Sequence, residues 1–345
     1  MRHPTHSRRF SAIFLAALPL LASVQEDPAV GELLEKLRSD RVEERDSAVK
    51  ALIEKGRGIR PALLKAGESA GLDARLRIQS VIDTLDTQYK PVTVRDLSPW
   101  DRMRRADIMN LLAVTSDFGR GLFTKDGELN LRDLNTGKTE AKLKLRREDF
   151  IDLSGDGLHV LARTPGEEEP AALTIELKSG RTVETWEKTY AVEGALSPGG
   201  RLVILADRRA KVRGFRRGEG LLREWSLGAG TSSEGMDEGV PRALAVSWDD
   251  KSVAAVSRDR LWILDVASGE KRDVEVNRGT TAAFSPDGRF VLVGTVHGGL
   301  HLFDPKSLQP LASFTLQRNC ARRVQFSSDG DSFLSMEDEV ILWKR

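Results

Sequence analysis

The stretch Ala282-Ala283-Phe284-Ser285-Pro286-Asp287-Gly288-Arg289, followed by the apolar run Phe290-Val291-Leu292-Val293, decides the fold of this chain. It joins a short strand to a second, buried strand through a tight turn. Equivalent turns occur at Thr115-Ser116-Asp117, Ser154-Gly155-Asp156-Gly157, Ser197-Pro198-Gly199-Gly200, Ser247-Trp248-Asp249-Asp250 and Ser327-Ser328-Asp329-Gly330. From Thr115 to Ser327 the five steps average about 42 residues, the length of a four-stranded propeller blade.

The second half of each unit repeats as well. After a turn such as Lys125-Asp126-Gly127 or His297-Gly298-Gly299, an alternating strand ends at an acidic residue, as in Leu129–Asp133, Leu261–Asp265 and Leu300–Asp304. Asn135-Thr136-Gly137, Lys178-Ser179-Gly180 and Ala267-Ser268-Gly269 then turn the chain into an outer strand. Asp-Gly and Gly-Gly suit such turns because their backbones accept positive φ. Five units are complete, and a sixth stops after its third strand at Trp343. An open ring would expose a sheet edge, so Val92-Thr93-Val94-Arg95 is expected to supply the missing strand. The reading is mainly β: a six-bladed propeller, or a seven-bladed one if residues 95–110 hold further strands. Pro99 and the polar Asp101–Arg105 stretch argue against the seventh blade.

Period and turn chemistry resemble the WD-repeat family over roughly residues 108–345. The family's signature is degenerate here, because no Gly-His dipeptide precedes a repeat. Its Trp-Asp ending is replaced by Arg-Asp, Leu-Asp, Phe-Asp or Trp343-Lys344. The side-chain tetrad of typical WD repeats therefore does not carry over. Propellers of the TolB type also use Ser-Pro-Asp-Gly turns, so the kind of propeller stays open.

Residues 27–86 read as four short helices forming two hairpins. Asp27-Pro28 starts the first, with Val30, Leu33, Leu34 and Leu37 at helical spacing. Asp40 and Glu43 have capping-box spacing and introduce Val42, Ala48, Val49, Leu52 and Ile53 before Gly56. A third helix from Ile59 is expected to stop at Gly67, and a fourth from Asp73 to carry Leu76, Ile78, Val81, Ile82 and Leu85 inward. Glu44-Arg45-Asp46-Ser47-Ala48, the Gly56…Leu64 unit and Asp73-Ala74-Arg75-Leu76-Arg77 resemble HEAT repeats. Two hairpins are few for a free-standing solenoid, so this segment is expected to pack on the next domain or on a partner.

Arg2, Arg8 and Arg9 precede the apolar run Phe10–Val24, which is interrupted by Pro19 and followed by Glu26-Asp27. That run is too short to span a bilayer comfortably and fits a signal peptide over residues 1–25. The expected organisation is a signal peptide (1–25), a HEAT-like helical segment (26–88) and a WD-like β-propeller (89–345). The expected location is extracytoplasmic, periplasmic or secreted, with no stable membrane span after signal removal. The formal charge of +1 becomes slightly negative once the three arginines leave, which gives no field for nucleic acid. Cys320 is the single cysteine, so no internal disulfide forms.

Catalytic patterns are sparse. His297 and His301 have i, i+4 spacing, but in a Gly-Gly hairpin that spacing does not place them as it would on a helix. They read as one turn and one strand histidine. His159 follows a blade turn without a nearby partner in sequence. Neither a nucleophile elbow nor a phosphate loop is present, and Glu167-Glu168-Glu169 reads as a solvated loop. No catalytic residue, cofactor or metal ligand is assigned. The candidate partner contact is a basic strip of Arg208, Arg209, Lys211, Arg213, Arg216 and Arg217 in the third unit. Both resemblances imply protein–protein scaffolding, and with the signal peptide the expectation is an exported interaction scaffold without catalytic activity of its own, whose unidentified partner would meet the basic strip with acidic groups. The rival expectation is a lactonase-like or glycosidase-like propeller hydrolase, with distant acids or histidines meeting at the channel mouth.

Overall fold

A computed structural model describes residues 28–92, 105–145, 150–164, 171–187, 189–228, 239–315, 320–336 and 340–345. The expected signal peptide, most of Val92–Arg95, the Glu167–Glu169 loop and much of 95–110 lie outside the described residues. The chain divides between Leu85 and Asp86 into two compact units, three residues before the expected boundary.

The first unit contains α1 (Pro28–Lys36), α2 (Val42–Glu54), a 3-10 turn (Arg57–Ile59), α3 (Arg60–Ser69) and α4 (Leu72–Thr87). Leu37, Ala48, Leu52, Leu63, Ile78, Val81 and Ile82 form its core. Three local expectations are corrected. The Asp40–Glu43 capping box does not form: Arg41 occupies the N-cap without a side-chain hydrogen bond. Instead, Ser39 Oγ accepts from Arg41 N–H at 3.2 Å and donates to Glu44 at 2.7 Å. Gly67 does not end α3, because one interior glycine costs only about 1 kcal/mol and its bare Cα faces Ile78. Leu76 is not inward but 62% exposed, and Val42 is 54% exposed. Leu76 lies two residues from both Ala74 and Ile78, about 200° around the helix from each.

The second unit is a six-bladed β-propeller of four-stranded antiparallel sheets. After β1 (Lys90–Val92) and the short α5 (Arg105–Asn110), blade 1 comprises β2 (Leu111–Val114), β3 (Arg120–Lys125), β4 (Glu128–Asp133) and β5 (Thr139–Leu143). Blade 2 comprises β6 (Phe150–Leu153), β7 (His159–Arg163), β8 (Ala172–Glu176) and β9 (Thr182–Trp186). Blade 3 comprises β10 (Ala191–Leu196), β11 (Leu202–Asp207), β12 (Lys211–Arg216) and β13 (Gly220–Ser226). Blade 4 comprises β14 (Ala243–Val246), β15 (Ser252–Val256), β16 (Arg260–Asp265) and β17 (Lys271–Glu275). Blade 5 comprises β18 (Gly279–Phe284), β19 (Val291–Thr295), β20 (Gly299–Phe303) and β21 (Pro310–Thr315). Blade 6 comprises β22 (Arg323–Phe326), β23 (Ser332–Met336) and β24 (Val340–Lys344), completed by β1. The closing strand is thus Lys90–Val92, pairing Pro91 with Trp343, slightly earlier than the Val92–Arg95 expected.

Each blade is buried on both faces, and strand alternation shares its side chains between two neighbours. In β15, Val253 and Ala255 pack toward blade 3, whereas Ala254 and Val256 pack toward blade 5. Four further interfaces of the same kind complete the ring, including one between blades 6 and 1 through Leu334, Leu342, Val114 and Phe123. Tyr89, just before β1, anchors the closure among Phe314, Phe326 and Phe333.

The recurring turn has one construction in all six blades. Its hydroxyl accepts the N–H of the following strand, from Arg120 to Thr115, His159 to Ser154, Leu202 to Ser197, Ser252 to Ser247, Phe290 to Ser285 and Ser332 to Ser327. In every blade but the third, the same hydroxyl donates to the aspartate two residues on. The residue after that aspartate position is left-handed throughout: Gly157, Gly200, Gly288 and Gly330, but Phe118 and Asp250 in blades 1 and 4.

Candidate functional site

The innermost strands β6, β10, β14, β18 and β22 contribute to a cavity of about 150 Å³ in the central channel. Because every blade starts at its inner strand, residues counted back from the turn hydroxyl fall at matching levels. Two residues before it stand Ala113, Asp152, Ala195, Ala245, Ala283 and Gln325; four before it stand Leu111, Phe150, Glu193, Ala243, Thr281 and Arg323. The polar members at these two levels, Asp152, Glu193, Thr281, Arg323 and Gln325, all line the cavity.

Asp152 is the hub of that group. One carboxylate oxygen forms an ion pair with Arg323 of blade 6, and the other accepts the Leu196 N–H of blade 3 at 2.9 Å. A single side chain of blade 2 therefore ties three blades together. Glu193 lies in the same cavity. Burial, reinforced by the charge of Asp152, pushes its carboxyl up to about 8, while the Gly194 N–H, Arg323 and Arg163 pull it down. At neutral pH it keeps its proton, so the cavity holds one carboxylate in an ion pair and one neutral acid.

None of Asp152, Glu193 and Arg323 was among the expected site residues. The available signal was the repeat itself: in aligned inner strands, Asp152 and Gln325 replace alanine, and Glu193 and Arg323 replace mostly apolar residues. The histidines do not join them. His159 lies between blades 2 and 3, where Arg217 donates to its Nε2 at 3.1 Å and its buried Nδ1 lacks a partner among the described residues. Burial, then the Arg217 charge, lowers its pKa. His297 is exposed in the β19–β20 turn, whereas His301 on β20 meets Ser313 Oγ at 2.9 Å. Among the described residues, no group of three or more His, Cys, Asp and Glu side chains is placed to hold a metal ion.

The basic strip divides into two parts. Lys211 reaches Glu224 at 2.8 Å, and Arg213 reaches Glu224 at 2.7 Å and Asp207 at 3.3 Å. Arg216 pairs with Glu219 at 3.2 Å, and Arg217 donates to Gly200 O besides His159. The hydrogen bonds from Lys211 and Arg213 hold the Glu224 carboxyl below its ordinary range. Arg208 and Arg209 are exposed in the β11–β12 turn. The structure thus engages four of the six cations within blade 3 or against blade 2 and leaves two exposed.

Four large apolar side chains of the helical unit also face outward. Leu72 and Leu76, one turn apart on α4, are 75% and 62% exposed, and Val42 and Leu64 are exposed too. No helix among the described residues is long and apolar enough to cross a membrane. Compared with known proteins, the chain matches no family model and no curated protein.

Proposed function

We propose that this chain is an exported interaction module without catalytic activity of its own, in which degenerate WD-type blades form a rigid disc and a HEAT-like helical pair carries the partner contact. The observation that carries this reading is the Leu72–Leu76 ridge on α4, exposed while the opposite face of the same helix is buried. Isolated surface leucines are ordinary, but two on adjacent turns, in a repeat unit with few neighbours, suit a docking contact. Arg208 and Arg209 add a basic contact for an acidic partner. The Arg2–Val24 segment supports export, and sequencing the mature N-terminus tests that part directly.

The test of the interaction is affinity capture of the processed protein from its native envelope, beside the Leu72→Glu/Leu76→Glu variant. A stoichiometric partner should accompany the wild type and be lost from the folded variant. Equal recovery by both would refute the assignment.

One observation favours a second reading. Asp152 and Glu193 share a cavity while their surroundings differ, the pattern by which carboxyl pairs divide acid and base roles. A hydrolase working there would act on small esters or glycosides. It would lose turnover in Asp152→Asn and in Glu193→Gln, whereas the scaffold reading expects no hydrolysis by any of these proteins. Both oxygens of Asp152 are engaged within the propeller, which favours a structural role for that residue and the interaction module as the conclusion.

A further inference from the structure

Five residues before the turn hydroxyl, blades 4, 5 and 6 carry Arg242, Thr280 and Arg322. All three line the channel cavity, at the level nearest the end opposite the Ser/Thr turns. Thr280 Oγ donates to Ala321 O at 2.7 Å and so links blades 5 and 6. Both arginines are exposed at the cavity. Among the described residues, neither guanidinium has a hydrogen-bond or ion-pair partner. Arg323, the next residue along from Arg322, is by contrast bound to Asp152.

The charge balance of the cavity follows from these contacts. Asp152 and Arg323 neutralise each other, and Glu193 is uncharged at neutral pH. Arg242 and Arg322 remain as an excess of two positive charges facing one small space. Guanidinium forks recognise carboxylate and phosphate oxygens by paired N–H donors, and a partly enclosed site strengthens that attraction over bulk water. The cavity, at about 150 Å³, is below the range of drug-sized pockets, roughly 300–1,000 Å³. It suits a compact acid of a few heavy atoms better than a folded segment.

We infer that the channel mouth between Arg242 and Arg322 is a binding site for a small multivalent oxyanion, a polycarboxylate or a phosphate. The ligand bridges blades 4 and 6 across blade 5, above the Asp152–Arg323 pair. This inference does not depend on the interaction reading, since it involves neither α4 nor the β11–β12 turn.

The test is isothermal titration of the full chain with citrate, with inorganic phosphate and with a decapeptide of glutamate. The wild type should bind at least one of the two small anions, less tightly as ionic strength rises. Arg242→Ala and Arg322→Ala should each weaken that binding at least tenfold, while Arg208→Ala/Arg209→Ala leaves it unchanged. Both cavity arginines are exposed, so their variants should keep the wild-type unfolding midpoint, measured alongside. Failure of both small anions to bind overturns the assignment, as does unchanged affinity in the Arg242→Ala/Arg322→Ala double variant. Binding of the peptide alone overturns it in favour of an acidic protein segment.

Discussion

Arg289, in the blade 5 turn, places its guanidinium 2.6 Å from the carboxylate of Asp86, a residue with no exposed surface that lies 203 positions earlier in the chain. Arg345 approaches the same carboxylate at 3.7 Å and also stacks over Tyr89. These contacts hold the lead-in to β1 where blade 6 needs its fourth strand. Removing one partner of a buried pair leaves an uncompensated charge, at a cost of about 3–5 kcal/mol. Asp86→Ala should lose stability on that scale in urea unfolding of the full chain.

The turn hydroxyls supply a second stability test. Ser285 Oγ is buried, accepts the Phe290 N–H at 2.9 Å and donates to Asp287 at 2.6 Å. Ser285→Ala leaves that buried N–H without its partner, which costs about 1–3 kcal/mol. The change in denaturation midpoint reads this directly.

Asp250 occupies a left-handed position that four other blades fill with glycine, at φ 59°. That conformation is strained for a residue bearing Cβ, although less so for aspartate than for most. Its ion pair with Arg201 is long, at 4.0 Å. Asp250→Gly should therefore raise stability by about 0.5–1 kcal/mol, seen as a higher thermal midpoint.

Glu193 makes stability depend on pH. Its carboxyl is raised from an ordinary 4.5 to about 8 in the folded protein. Between these values the folded state keeps a proton that the unfolded chain has released, so the contribution of this residue falls as pH rises through that interval. Below 4.5 both states are protonated, and above about 8 both are ionised, so the slope vanishes outside the window. Glu193→Gln should flatten the profile and exceed the wild type in stability at pH 8, as measured by denaturation across that range.

The basic strip predicts a contrast between neighbours. Arg213 is mostly buried and pairs with Glu224 and Asp207, so Arg213→Ala should destabilise blade 3 by roughly 1–3 kcal/mol. Arg208→Ala, at an exposed turn, should stay within about 0.5 kcal/mol of the wild type. Unfolding of the two variants side by side checks the division between structural and outward-facing cations.

Much of the propeller was legible because its information is local and repeated. Ser-x-Asp-Gly turns about 42 residues apart set the blade length, and the incomplete last unit implied closure by an N-terminal strand. The details that failed were also local but lacked repetition. Leu76 fitted an inward helical spacing only until the buried face of α4 was set by Ala74, Ile78 and Leu85. The Asp40–Glu43 spacing matched a capping box, yet Ser39 took the Arg41 N–H instead.

By itself the sequence determined a six-unit β architecture, because backbone turns and two-residue alternation act between near neighbours. Only the tertiary structure decided which polar residues meet. Asp152, Glu193 and Arg323 come from blades 2, 3 and 6, and Arg242 and Arg322 from blades 4 and 6. Ring closure brings their inner strands around one channel, and the resulting burial and charge balance exist nowhere along the linear sequence.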